Sequence, residues 1–250
     1  MRQSFEKGGR RKAALARKLD DAIWQPVTCC LPGCSRPSMR SEGRGLAQHH
    51  CRYHVQHKAR HGSHWHGTYK ASELLPYARS ADAWLRERRQ DPLYQAAYWD
   101  LEHMMAGAGR VEPEMDLKGQ SAVYRARMAF ARVRAAEIPT RRLIVIYLAV
   151  AALIEDDWKS HNVREFRIVQ AAKVVHRLAS GTHRKWDTPG MRPVELHVYP
   201  RSSGYVLRKM GEVLEKACGE LAGAAVPEII ALRTDRFGPH PSHPPVARAS

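Results

Sequence analysis

Four of the chain's five cysteines fall between positions 29 and 51, in the stretch CCLPGCSRPSMRSEGRGLAQHHCRYHVQHKARHGSHWH that ends at residue 66 and also holds seven of the 14 histidines. No other feature constrains the fold as much. The stretch is polar and broken by glycine and proline, so it cannot offset its ordering entropy by burying a hydrophobic core. Thiolates and imidazoles at short spacing offer another source of stability, a bound metal ion, on the order of 10 kcal/mol or more in small fingers. Zinc takes four tetrahedral donors of these two types, and loop geometry limits which pairs can reach one ion. Cys29 and Cys34 enclose a Pro-Gly turn able to bring both sulfurs to the same side. Cys51 and His54 form a C-x2-H pair suited to the first turn of a helix running CRYHVQHKAR, and 16 residues separate the two pairs. Cys30 offers a C-x3-C alternative to Cys29. A site with four protein donors is closed, which makes one structural Zn²⁺ the expected cofactor.

The charge around this stretch is uneven. Of 41 Lys+Arg and 25 Asp+Glu, residues 1–70 carry 14 and 4, so most of the net charge of +16 sits at the N-terminal end. A field of that sign attracts polyanions, and nucleic acid comes ahead of an acidic membrane surface as the expected partner. The longest apolar run, LIVIYLAVAALI at 143–154, has 12 residues. A bilayer span needs about 20, so this run reads as a buried helix and no membrane partner is expected. The N-terminus, MRQSFEKGGRRKAALARKL, has charge but no apolar stretch behind it. Clustered cysteines in such a chain read as metal ligands of a cytoplasmic protein rather than as a disulfide frame.

The pattern CCLPGCSRP, a basic loop with Gly45-Leu46, and then CRYHVQHKARHG resembles the short Cys/His fingers of phage and bacterial mobile-element proteins, including HNH-associated ones. Those fingers run C-x4-C-x-R-P, Gly-Leu, then C-x2-H followed by a basic stretch ending in R-H-G. The resemblance covers about residues 29–62. It implies a treble-clef-like zinc knuckle with Cys29, Cys34, Cys51 and His54 as ligands, and a DNA-binding role ahead of RNA. Arg36, Pro37, Arg60, His61 and Gly62 also match. The sequence departs from the pattern in AQHH, inserted before Cys51, which leaves His49 and His50 as substitute ligands.

On such a frame Arg36, Arg40, Arg44, Arg52, Lys58 and Arg60 would be presented to phosphates, with Arg10, Arg11 and Lys12 as a basic arm; such contacts supply affinity without sequence preference. His57, His61, His64 and His66 read as helix-surface or loop residues that contact phosphate or cap, rather than as ligands. Trp65, Trp84, Tyr69 and Tyr77 read as packing residues rather than as stacking platforms for bases.

The chain divides into a basic N-terminal helix (1–26), the knuckle (27–69), a helical body (70–236) and a disordered tail (237–250), a mainly α fold. Asp91-Pro92 is a start signal for PLYQAAYWDLEHMM, which runs to the glycines at 107 and 109. SAVYRARMAFARVRAAEI, the apolar helix at 141–158, VREFRIVQAAKVVHRLASG and the segment 202–223, capped by Ser202 or Ser203, follow. LHVYP (196–200) is the one stretch considered for a short strand. His176, His183, Arg177, Arg184 and Lys185 read as a basic helix end, and Cys218 as a small core residue.

No catalytic constellation stands out. An HNH nuclease needs a histidine base and an Asn or His that holds the loop, yet the chain's one asparagine, Asn162, lies far from the cluster. Glu155-Asp156-Asp157 reads as a solvated acidic helix end. No phosphate loop or nucleophile elbow occurs. A nucleic-acid-binding protein is therefore the expected function. The rivals are an adaptor whose helical body docks a recombinase, replication or defence factor, and a divergent nuclease.

Overall fold

The computed structural model describes residues 28–38, 49–179, 182–186, 190, 194–198 and 202–243. Arg10, Arg11 and Lys12 of the expected N-terminal helix, and Arg40 and Arg44 of the basic loop, lie outside the described residues. The fold is mainly helical, with seven α-helices and one hairpin among the described residues. It divides into two compact units, Met1–Lys58 and Ala59–Ser250. The division falls inside a helix, before the boundary at residue 69 that the composition suggested.

In the first unit Thr28 pairs with Pro37 in an isolated antiparallel bridge. The Cys29 amide donates to the Arg36 carbonyl at 2.9 Å, and the Cys34 amide closes the turn onto the Leu31 carbonyl at 3.0 Å. Gly33 turns there with φ of 77°, a conformation that costs glycine nothing and a residue with a Cβ about 1–2 kcal/mol. Helix α1 (Arg52–His61) follows directly after Cys51 and buries none of its residues. A helix that buries none of its residues gains little from packing.

The second unit is built by burial. Helices α2 (Ala71–Glu87), α3 (Pro92–Ala106), α4 (Ala122–Ala135), α5 (Thr140–Asp156), α6 (Arg164–Leu178) and α7 (Gly204–Phe237) enclose one continuous core. Asp91 caps α3, accepting from the Leu93 and Tyr94 amides at 2.8 and 3.2 Å, with Pro92 in the first turn. Ser121 caps α4 and Ser203 caps α7 through the Tyr124 and Val206 amides. Every residue of α5 from Leu143 to Ile154 is buried, as expected for a run too short for a membrane. No helix among the described residues is long and apolar enough to cross one.

Helix α7 packs against α2, α3, α4, α5 and α6 and is the axis of this unit. It does not stop near residue 223 but runs 34 residues, through Pro227 to Phe237. A proline inside a helix costs about 3 kcal/mol. Burial of Ala225, Val226 and Ile229 on either side offsets that cost. Cys218 is fully buried in this helix, and burial pushes its thiol up to about 12.

Two expectations change. The strand lies at Val194–Val198, and it has a partner the sequence did not suggest, Thr182–Trp186, antiparallel with Thr182 opposite Val198. His183, Arg184 and Lys185 therefore belong to a hairpin and not to the end of α6, which stops at Leu178. Their polar side chains gave no period-2 apolar signal to read. The second change is at the C-terminal end. Residues 238–243, placed with the tail by their composition, are tied to the body: the Gly238 carbonyl accepts from Arg233, and His243 Nε2 lies 2.7 Å from the Asp156 carbonyl oxygen.

Candidate metal centre

The bridge at Thr28 and Pro37 and the turn at Gly33 aim Cys29 and Cys34 inward, while α1 supplies Cys51 just before its first turn and His54 within it. The four ligand atoms, three sulfurs and one ring nitrogen, all lie within 4.8 Å of one another. Cys29 Sγ is 3.2 Å and Cys51 Sγ 3.4 Å from His54 Nδ1, and Cys34 Sγ is 3.9 Å from Cys51 Sγ. Cys29 and Cys51 are buried and the other two half-buried. A group so placed can hold one metal ion. Among the described residues no other cluster of three or more His, Cys, Asp or Glu side chains meets that spacing.

The alternatives left open by the spacing resolve in space. Cys30 is exposed and points to His50, its sulfur 3.4 Å from Nε2, and its amide donates to the His49 carbonyl at 2.7 Å. Neighbours along an extended backbone face opposite sides, so Cys29 faces the cluster and Cys30 faces away. Of the insert before Cys51, His49 and His50 engage Cys30 and supply no ligand atom to the group.

The electrostatics suit a ligand set. Burial first, then the positive neighbours His57, Arg36 and His50, pull His54 below the usual histidine value, so its ring is neutral and has a lone pair to give. At Cys51 burial raises the thiol, but hydrogen bonds from the His54 backbone and from Cys34 and Cys29 outweigh it and the thiol ends low. At Cys34 the Arg36 backbone lowers the thiol, but burial and the shared bonds with Cys29 and Cys51 raise it. One thiol thus gives up its proton more readily while its neighbour keeps it.

Around the centre, Arg36 lies over the Tyr53 ring with its guanidinium carbon 4.9 Å from the centroid, a cation–π pair. Tyr53 is 54 % exposed. Arg52, Gln56 and Arg60 repeat at four-residue intervals along α1 and are all exposed. Lys58 lies half-buried on the same helix.

Most of the remaining histidines do not stay on the surface. His61 Nδ1 is 3.0 Å from both Thr68 Oγ1 and Lys173 Nζ. His66 Nε2 is 3.6 Å from Asp157 Oδ2. Asp156 and Asp157, expected as a solvated helix end, are buried. Tyr77 donates to Asp156, His243 Nε2 is 3.0 Å from Asp156 Oδ1, and Tyr69 donates to Asp157 at 3.0 Å. The sequence held no sign of this network, because its members come from segments up to about 170 residues apart. Tyr77 and Trp84 are buried core residues of the second unit, and Tyr69 packs on Phe166. No protein-family model, no curated protein and no solved structure matches the chain.

Proposed function

We propose that the chain is a zinc-stabilised nucleic-acid-binding protein, with DNA ahead of RNA as its target. The observation that carries this reading is the cationic face built on the four-ligand frame: Arg36 stacked on the exposed Tyr53, with Arg52 and Arg60 on the exposed stripe of α1. Zinc at about 2.3 Å from sulfur and 2.0 Å from nitrogen would set neighbouring donors about 3.5 to 3.8 Å apart. The pairs at 3.2, 3.4 and 3.9 Å support that choice of ion, as does the soft, sulfur-rich donor set. Three thiolates with Zn²⁺ leave a charge of −1, a small offset to a chain of +16. The metal stands in for the missing core of α1 and holds its arginines on a rigid base. Rigid arginines lose less entropy on meeting phosphate, and the Tyr53 ring offers a face on which a base can stack.

The test is nucleic-acid binding against salt concentration on protein of known metal content, with duplex DNA, single-stranded DNA and RNA as parallel probes. The expected result is one zinc per chain and an affinity that falls with salt. Three phosphate contacts would give a log–log slope of about −3, and Arg52→Ala should make it shallower by about 1. The Cys34→Ser/Cys51→Ser double variant should lose both zinc and binding. Zinc without binding to any probe would overturn the reading in favour of the adaptor role.

A further inference from the structure

The second unit contains an open cleft of about 670 Å³, a volume in the range of small-molecule sites, roughly 300–1,000 Å³. It lies between the end of α2, one face of α3 and the start of α5. Its wall combines two kinds of group.

The first kind is cationic. Arg141, in the first turn of α5, is fixed by Asp82, donating to its backbone carbonyl at 2.7 Å and pairing with its carboxylate at 2.9 Å. Its Nε is buried with no hydrogen-bond partner. Arg134 is held by three carbonyls at the end of α3. Arg89 lines the cleft, is exposed, and has no ion pair among the described residues. The first turn of α5 contains no acidic residue. Of the two carboxylates in the wall, Glu102 accepts from Thr140.

The second kind is aromatic. Tyr94 and Tyr98 sit one turn apart on α3 with ring centroids 6.2 Å apart, and both line the cleft. Tyr94 is only 8 % exposed, and its hydroxyl reaches solvent without a hydrogen bond to the described residues. A hydroxyl left open in this way can donate to an acceptor that a ligand brings.

An anion for Arg89 and Arg141, a flat face for Tyr98 and an acceptor for the Tyr94 hydroxyl describe one small molecule. We propose that this cleft binds a nucleoside monophosphate, with the phosphate on Arg89 and Arg141 and the base against Tyr94 and Tyr98. Inorganic phosphate alone would leave the aromatic wall unused, and a nucleoside alone would leave Arg89 unanswered. The site is separate from the metal centre and does not depend on the proposed role of the knuckle.

The experiment is calorimetric titration of the full chain with AMP, GMP, CMP and UMP, beside inorganic phosphate and the four nucleosides. At least one nucleotide should bind with one-to-one stoichiometry and a Kd of about 100 μM or tighter. Phosphate and the matching nucleoside should each bind about 10-fold more weakly or worse. Arg89→Ser, at an exposed position that leaves the fold intact, should weaken the nucleotide about 10-fold. Tyr98→Ala should weaken it to a similar degree by removing the stacking surface. Three results would each overturn the proposal: no nucleotide binding below about 1 mM, nucleotide affinity unmoved by Arg89→Ser, or phosphate binding as tightly as the nucleotide.

Discussion

Cys29 and Cys30 are chemically identical and adjacent, and their fates differ because one faces the cluster and the other the solvent. Cys29 Sγ is 3.2 Å from His54 Nδ1, while Cys30 is exposed beside His50. Replacing each by serine separates the two directly. Cys29→Ser should bring the metal bound per chain close to zero, measured by elemental analysis after dialysis, because a structural site with three donors holds its ion far less well. Cys30→Ser should leave the metal content unchanged. Equal loss in both variants would mean that Cys30 is itself a ligand. The same reasoning applies to His54, whose neutral ring follows from its burial and from the cations around it.

At the scale of elements, α7 shows how packing decides the worth of a residue. Alanine normally stabilises a helix relative to glycine by about 1 kcal/mol. At Gly211 that gain reverses: an added Cβ would lie 2.3 Å from the Ile168 carbonyl oxygen and 2.7 Å from its carbon, so α7 and α6 would have to part. Gly211→Ala should destabilise by about 1–3 kcal/mol, the usual cost of overpacking. At Gly223, in the same helix, nothing lies within 4 Å of the added atom. Gly223→Ala should stabilise by about 0.5–1 kcal/mol. Urea denaturation of the two variants measures the contrast, and a shared sign would disprove the close contact with α6. Helix α1 is the opposite case: none of its residues is buried, so no single alanine substitution in it, His54 aside, should cost as much as the one at Gly211.

For the molecule as a whole, the question is how a chain of +16 tolerates a half-buried lysine. Lys173 lies against His61 and Thr68 with no carboxylate partner among the described residues, and burial, then Arg177, lowers it to about 8. The unfolded chain keeps that proton until near 10.5. Between about pH 8 and 10.5 the unfolded state therefore binds more protons, and raising the pH favours the fold. Stability from chemical denaturation should rise across pH 8 to 10, and Lys173→Met should flatten the rise. Comparing the two proteins cancels the general relief of charge repulsion, which both share. A profile identical in both would show that Lys173 titrates normally.

The sequence by itself determined what short-range chemistry decides. The two ligand pairs, the caps at Asp91, Ser121 and Ser203 and the buried apolar run of α5 depend on residues a few positions apart, where spacing nearly dictates geometry. Tertiary structure decided everything that required distant segments to meet. It turned Cys29 inward and Cys30 outward, buried Asp156 and Asp157 under Tyr69, Tyr77 and His243, carried α7 through Pro227, and paired Thr182–Trp186 with Val194–Val198. The cleft between Arg89, Tyr94 and Arg141 belongs to the same class. Those outcomes are set by burial energies summed over many contacts between distant segments, and such sums leave no local mark on the residues that make them.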